Sequence, residues 1–390
     1  MDVPHLRLGR SLVRTIRRGH PWVYRDALEG RIPAPGLEVA VTDGRGQVVA
    51  RGLCEAGPIG VRLWTVGDEP VSDALMGRRL DAAIELRRSI TPRRTDALRL
   101  VHGEGDRMPG VVVDLYGPHA VLALDGEAAV AHRERLVSLL MPRLRALGVP
   151  TLVVRSGPRG DRTIEHVQGP PPPEVVEVLE HGMVLCADLM RGQKTGLFLD
   201  QRSSRAMVRR LAKGRRVLDL YAYVGGFSAA AGKGGASSVV TVDLAKPAIA
   251  MAQRTWAANG LRPQRQRVVA ADVPEFLAGL EANGERFDLV IADPPSFAPS
   301  AASRDKALRS YERLHGACLR VLAPGGLLLA ASCSSHVDRA AFEDALAGAA
   351  QSQRVVLQVL DRWAAPPDHP RLLAFPEGDY LTVTLVRILP

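Results

Sequence analysis

Cysteine is scarce in this chain. Cys54, Cys186, Cys318 and Cys333 are the only four among 390 residues, and no two form a CxxC pair or a metal-ligand spacing. That pattern argues against a zinc module and, in a chain this long, against a disulfide framework. Reduced thiols in a cytoplasmic setting are the expectation. No run approaches the roughly 18 apolar residues of a membrane-spanning helix. The basic N-terminal segment MDVPHLRLGRSLVRTIRRGHPW has no apolar core of the kind a secretory signal needs. Internal repeats and long low-complexity tracts are absent as well, which excludes solenoid and linker-like architectures.

What is present reads as soluble and globular, with 46% hydrophobic and 24% charged residues. The length exceeds a typical single core and implies two or three domains. A net charge of +9 and a pI near 9.8 favour a polyanionic partner.

The chain divides into three stretches. Residues 1–70 hold short apolar runs (LEVAVTD, QVVARGL, IGVRLW) separated by glycine turns, as in a small β domain. Residues 71–188 open with the helical pattern DALMGRRLDAAIELRRSI and continue through GVVVDLYG, AVLALDG, a helix around HRERLVSLLMPRLRALG, and TLVVRS. The run GPPPPE at 169–174 breaks any element. From 189 to 390 strands and helices alternate, with RVLDLY, SVVTVDL, RVVAAD, FDLVIADPP and GLLLAASC as strands. That alternation implies a parallel sheet with helices on both faces. RVVLQVLDRW and YLTVTLVRIL close the chain as two more strands.

Ligands of such sheets sit beyond the carboxyl ends of the strands. Asp219 and Tyr221 stand there in VLDLYAYVGGFS, followed by Gly225, Gly226 and Phe227. Glycines at this turn would let backbone pass close to a ligand. Asp243 ends the next strand, near the ~20-residue offset at which an acid meets ribose hydroxyls. Asp272 ends the third and is placed to face an adenine. The turn is VGG rather than GxGxxG, which argues against a dinucleotide enzyme. The ordered set fits S-adenosylmethionine as cofactor. Taken singly, each acid is equally well a helix N-cap, and Gly-Gly an ordinary turn.

The fourth strand ends in Asp293-Pro294-Pro295, with Phe297 close behind as a stacking surface for a base. Two prolines stop the strand and fix the carboxylate at the sheet edge. Cys333 ends the fifth strand, expected beside the fourth. A thiolate there could add to a pyrimidine C6 and make C5 nucleophilic, with Asp293 supplying a proton. The bland alternative is a small apolar side chain at a strand end. Cys54, Cys186 and Cys318 have no such neighbours and are expected to be packing residues.

With these residues in place, the chain resembles the RlmI-type PUA-domain class I methyltransferases, which make 5-methylcytosine in large-subunit ribosomal RNA. HPWVY at 20–24, RLVHGEGDRMPGVVVDLYG at 99–117, QKTGLFLDQRSSR at 193–205, LDLYAYVGGFS, DPPSF, SCS and DHPRLLAFPEGDYL fall in the family's order over nearly the whole length. The resemblance implies a PUA-like β-barrel domain over 1–70, a central α+β domain over 71–188 and a Rossmann-like seven-stranded methyltransferase domain over 189–390, often as a dimer. It also implies Cys333 as nucleophile. Lys194, Asp200, Gln201 and Arg202 match the segment leading into the catalytic domain and are placed near the donor or the RNA backbone. Ser296 stands where the family commonly has lysine, and DPPSF lacks a second cysteine. The base that removes the C5 proton is therefore open between Asp293 and water. Two other readings compete. One is methylation of a purine nitrogen by the Asp-Pro-Pro motif with Cys333 a bystander; the other is a non-enzymatic RNA-binding assembly factor.

Overall fold

The computed structural model describes residues 3–157, 163–298 and 300–389. Its contacts divide the chain into two units. The first comprises Met1–Val176, Asp188–Leu199 and Pro367–Gly378; the second comprises Glu177–Ala187, Asp200–Pro366 and Asp379–Pro390. Among the described residues no helix is long and apolar enough to cross a membrane.

The first unit holds two sheets. One is six-stranded, in the order Trp22–Tyr24, Ile59–Val66, Val48–Cys54, Glu38–Thr42, His5–Leu8, Leu28–Glu29. Its one parallel pair is His5–Leu8 with Glu38–Thr42. The other is five-stranded, in the order Thr163–Gln168, Thr151–Ser156, His119–Leu124, Val111–Tyr116, Ala97–His102. The helix Asp73–Ile90 starts at Ser72, whose Oγ accepts from Leu75 N at 3.2 Å. Its Leu75, Met76, Leu80, Ala83 and Ile84 recur at helical spacing and bury one face in the core beside the five-stranded sheet. Three of the motifs singled out above meet here. Trp22 Nε1 donates to Glu104 at 2.8 Å, and the Trp22 ring lies 4.6 Å edge-on from Phe375.

The second unit is built on one seven-stranded sheet. In chain order its strands are Arg216–Leu220, Ser238–Asp243, Gln266–Ala270, Phe287–Ala292, Leu322–Ser332, Leu357–Trp363 and Thr382–Ile388. Their spatial order is 3-2-1-4-5-7-6. Strands one to five are mutually parallel, but the seventh runs antiparallel to both the fifth and the sixth. The sheet is thus mixed where alternation alone implied a parallel one. The last connection, from Trp363 to Thr382, carries proline and glycine instead of the helix a parallel crossover requires.

Strand periodicity separates the two faces. Leu218, Leu220, Val240, Val242, Val290, Ala292, Leu328 and Ala330 pack in one core with the helices Val273–Ala282, Arg304–Arg320 and Arg339–Ser352. Asp219 and Thr241 point to the other face, toward the helix Gly226–Lys233. In the first core His315 is fully buried, with its ring near Tyr311 and Phe342 and no hydrogen-bond partner on either nitrogen. Burial drives its pKa down to about 3. The unfolded chain binds this proton below roughly pH 6.5 and the folded chain does not. Stability from neutral His315 is therefore present above that pH and lost as pH falls toward 3. His315→Phe should leave the melting temperature at pH 7.5 equal or higher and should flatten its fall toward pH 4.5, a difference on the order of 2 kcal/mol. Thermal unfolding of both forms across that range checks it, and parallel curves would refute it.

Candidate active site

The turn after the first strand of the seven-stranded sheet is built on left-handed backbone. Tyr221, Tyr223 and Gly225 have φ of 59°, 48° and 73°. Two non-glycine residues in this region are costly and need fixing by their surroundings. Ala222 N donates to Val242 O at 2.9 Å, Tyr223 N to Asp243 Oδ2 at 2.8 Å, and Gly225 N to Ala222 O at 2.8 Å. A Cβ on Gly225 would lie 2.7 Å from Ala252 Cβ, and one on Gly226 would lie 3.0 Å from Arg205 Cδ. These glycines are thus required by packing behind the turn.

Asp219 is fully buried. Its Oδ2 accepts from Ser228 Oγ at 2.6 Å, and Ser228 Oγ lies 2.7 Å from Thr241 Oγ1. Oδ1 has no hydrogen-bond partner. Burial, only partly offset by Ser228, pushes the carboxyl up to about 7. Asp243 is half-buried at its strand end, and its Oδ1 accepts from Ala245 N at 2.9 Å. Both of its oxygens are oriented by backbone amides and retain lone pairs for a further donor. Asp272 is the N-cap of Val273–Ala282, accepting from Glu275 N at 3.2 Å. Phe227 is buried, and Tyr221 is half-buried.

A second group surrounds Asp293. Gln201 hydrogen-bonds this carboxyl, yet burial and the nearby Asp200 and Asp219 carboxylates still push it up to about 7. Asp200 Oδ2 accepts from Tyr380 OH at 2.8 Å. Gln201 Oε1 accepts from Ser204 Oγ at 2.6 Å, which in turn accepts from Trp363 Nε1 at 2.9 Å. Arg205 donates to Glu180 through two bonds, at 2.7 and 2.5 Å, and both side chains are almost inaccessible. Arg202, in the same helix (Arg202–Leu211), is buried at 4% exposure and does not display its guanidinium to solvent. Lys194 falls in the first unit, exposed, with Nζ 5.5 Å from the Phe198 ring.

Cys333 follows directly on the fifth strand. Parallel pairing of Ile291 with Leu329 and Ala292 with Ala330 aligns this strand end with that of Asp293. Cys333 Sγ comes within 4.0 Å of Pro294 O. Pro294 is buried, Pro295 and Ser296 are exposed, and the Phe297 ring packs 4.9 Å from that of Tyr311. Cys333 is partly exposed, whereas Cys54, Cys186 and Cys318 are buried. Burial pushes the Cys54 thiol up to about 11 and the Cys318 thiol up to about 12, so neither supplies a thiolate at neutral pH.

The structure therefore gathers Gln201, Asp219, Asp293 and Cys333 at the carboxyl ends of adjacent strands or in contact with them, with Asp243 at the neighbouring edge. Sequence reading passed over Glu180, Arg205, Tyr311 and Tyr380. Arg205 and Tyr380 lie inside runs already singled out, and that was their one local signal.

The first unit also carries a cavity of about 470 Å³, whose wall includes Arg17, Arg18, His20, Trp64, Arg107 and Leu372. Three arginines in one concave wall suit an anionic partner.

Comparison with known proteins identifies the family. The profile of the S-adenosylmethionine-dependent methyltransferase family matches residues 127–377, and that of a PUA-like domain matches residues 6–65. "Ribosomal RNA large subunit methyltransferase I" of Photobacterium profundum is 36% identical over 379 residues, covering 94% of this chain and 95% of the relative. "Ribosomal RNA large subunit methyltransferase" of Deinococcus radiodurans is 35% identical over 398 residues, covering 98% and 97%. A solved chain from Streptococcus mutans, described as a SAM-dependent methyltransferase, shares the fold at a TM-score of 0.88 and 23% identity, covering 99% of this chain and 100% of that one. A second, described as a methyltransferase complexed with SAH, matches at 0.88 and 22%, over 99% and 100%. With the family profile covering well over half its length and relatives matching end to end, this chain belongs to the S-adenosylmethionine-dependent methyltransferases and carries a PUA-like domain ahead of the catalytic one.

Proposed function

We propose that this chain methylates C5 of a cytosine in large-subunit ribosomal RNA, through a covalent bond between Cys333 and C6 of the base. The observation that carries the reading is the approach of the one partly exposed cysteine to the Asp293-Pro294-Pro295 turn on the adjacent strand end. The RNA class is supported by the whole-length relatives, which are named as large-subunit ribosomal RNA methyltransferases. The division into 1–70, 71–188 and 189–390 belongs to the same proposal, each part containing one of the three large sheets.

The residues around the glycine turn fit S-adenosylmethionine. Asp243 has both oxygens pre-oriented and still able to accept, as a ribose diol requires. Asp219 brings a buried carboxylate oxygen without a partner behind the turn. Asp243, Tyr221 and the 225–227 segment would hold the cofactor, with Asp272 at the rim and Gln201 and Asp293 toward the reacting end. Bound there, S-adenosylmethionine supplies a methyl group made electrophilic by its sulfonium.

The chain's own residues prepare the base to take it. The Cys333 thiolate forms a bond to C6, and the electron pair displaced from the C5–C6 double bond is drawn toward N3. With its pKa raised to about 7, Asp293 still carries a proton in a large share of molecules at neutral pH and so can donate it to N3 as that charge develops. C5 is then the nucleophile. Once C5 carries the methyl group, loss of its proton to a base, breakage of the Cys333–C6 bond and return of the N3 proton to Asp293 restore the aromatic ring, the thiolate and the acid. Phe297 and Pro295 border the base, and Lys194 is a candidate contact to RNA phosphate.

Three measurements bear on this reading. With tritiated cofactor and undermodified ribosomal RNA, wild type should place label in 5-methylcytidine and Cys333→Ala should lose at least 10³-fold, the scale of a removed nucleophile. Label in a methylated purine that survives Cys333→Ala would sink the carbon mechanism. The pH profile of kcat should rise as the thiol ionises and fall as Asp293 loses its proton above about 7. Asp293→Asn should abolish that descending limb and cost about 10²-fold in rate; an unchanged profile would remove Asp293 from the proton step. Finally, replacing Arg17, Arg18 and Arg107 by Gln should flatten the log–log salt dependence of RNA binding by about 2, at roughly 0.7 per lost phosphate contact. An identical slope would place the RNA elsewhere.

A further inference from the structure

Two serines flank Cys333, and one phenol holds both. Tyr311 OH lies 2.8 Å from Ser332 Oγ and 2.9 Å from Ser334 Oγ. Ser334 Oγ reaches on to Ser296 Oγ at 3.0 Å, in the turn that follows Pro294 and Pro295. Alternate residues of an extended segment share a face. With Ser332 and Ser334 both tied toward Tyr311, Cys333 between them is directed to the opposite side, where its Sγ meets Pro294 O at 4.0 Å. The hub itself has little freedom. Tyr311 is fully buried, and its ring packs against Phe297, His315 and Phe342 at 4.9, 5.9 and 5.1 Å.

We propose that Tyr311 is the positioning residue of the thiol. Its hydroxyl couples the Ser332-Cys333-Ser334 segment to the Ser296 turn, so that Cys333 and Asp293 are held in fixed register for attack on the base. The proposal rests on Cys333 as nucleophile. Packing alone does not account for the hydroxyl, because phenylalanine would fill the same space between three rings. A phenol offers one donor and two acceptor sites, enough to bind two serine hydroxyls at once. Ser296, where the resembling family commonly has lysine, takes part through its own hydroxyl. The turn here is thus tied inward by a neutral hydrogen bond.

Tyr311→Phe tests the role with the folded full-length chain. Expected are a fall in kcat of about tenfold, equivalent to ~1.4 kcal/mol, and KM values for RNA and cofactor within about twofold. The readout independent of turnover is alkylation of Cys333 by iodoacetamide, followed by peptide mass spectrometry. The other three thiols are buried and react slowly, so the signal belongs to Cys333. The variant should shift the rate or the pH midpoint of alkylation by at least threefold or half a pH unit, with Ser334→Ala shifting it in the same direction. Alkylation and kcat both unchanged in Tyr311→Phe would overturn the proposal. RNA containing 5-fluorocytidine separates this failure from failure of the chemistry, because fluorine cannot leave as a proton does and the Cys333 adduct persists. Wild type that traps no adduct overturns the nucleophile assignment and this proposal with it. Wild type that traps adduct, with Tyr311→Phe trapping it at the same rate, overturns the positioning role alone. Slower trapping by the variant supports it.

Discussion

The catalytic unit is organised around the buried guanidinium of Arg205, set among more carboxylates than it can neutralise. Arg205 is committed to Glu180 by two short bonds, in surroundings that exclude water from both. Removing either charge would strand the other, so the pair is structurally obligatory whatever its net contribution to stability. Its stem fills the space that a side chain at position 226 would need. The helix Arg202–Leu211, the segment carrying Glu180 and the start of the helix Gly226–Lys233 are thereby locked to one guanidinium. Asp200, Asp219 and Asp293 share the same neighbourhood, and only part of the field of Arg205 reaches them. Asp219 and Asp293 accordingly stay protonated to about pH 7. The cost of housing these acids leaves a carboxyl that holds its proton near neutral pH, as the proposed proton transfer from Asp293 requires.

The sheet places this chemistry without further devices. Parallel strands put all their carboxyl ends on one edge, and the central position of the first strand puts Asp219 between Asp243 on one side and Asp293 on the other. The fifth strand adds Cys333 one position further along. The antiparallel seventh strand covers the fifth, and Thr384 and Thr382 pair with Ala330 and Ser332. The strand end that bears the cysteine is therefore not a free edge. Tyr311 completes the arrangement from the helix behind it. Backbone pairing sets the strand register, and the hydroxyls of Ser332 and Ser334 on either side of Cys333 meet at Tyr311.

Much of this was legible before the structure because it is written in contiguous runs. VLDLYAYVGGFS announces strand, turn and helix through its own residue types, and DPPSF announces a strand end through proline. The helix over 73–90 was readable from the helical spacing of its run, and the Ser72 cap that starts it came from the structure. The pairings that complete the site were not legible. Arg205 with Glu180, Tyr380 with Asp200, Tyr311 with Ser334 and Trp363 with Ser204 join residues separated by 23 to 180 positions. Nothing in the composition of one partner specifies the other. Asp272 shows the converse. Its position after a strand is read equally well as an adenine contact or a helix cap, and the structure shows the cap, with one oxygen on Glu275 N. The direction of the seventh strand was hidden because a run such as TVTLVRI has the same pattern whichever way it lies.

A covalent route to C5 sets a demand that a surface site could not meet. The thiol has to lose a proton while an acid a short distance away keeps one, and ordinary carboxyls reverse that order by several pKa units. An ionised Asp293 near the sulfur would oppose thiolate formation and would offer N3 no proton. Burial beside Asp200 and Asp219 resolves both difficulties at once. The neutral acid adds no negative charge against the thiolate. Partial exposure then separates Cys333 from the other three cysteines, whose buried thiols are held from ionising by the same desolvation that keeps Asp293 protonated. In the proposed route, desolvation of the Asp293 carboxyl keeps a proton on the acid, and the partly exposed Cys333 is the thiol left to ionise.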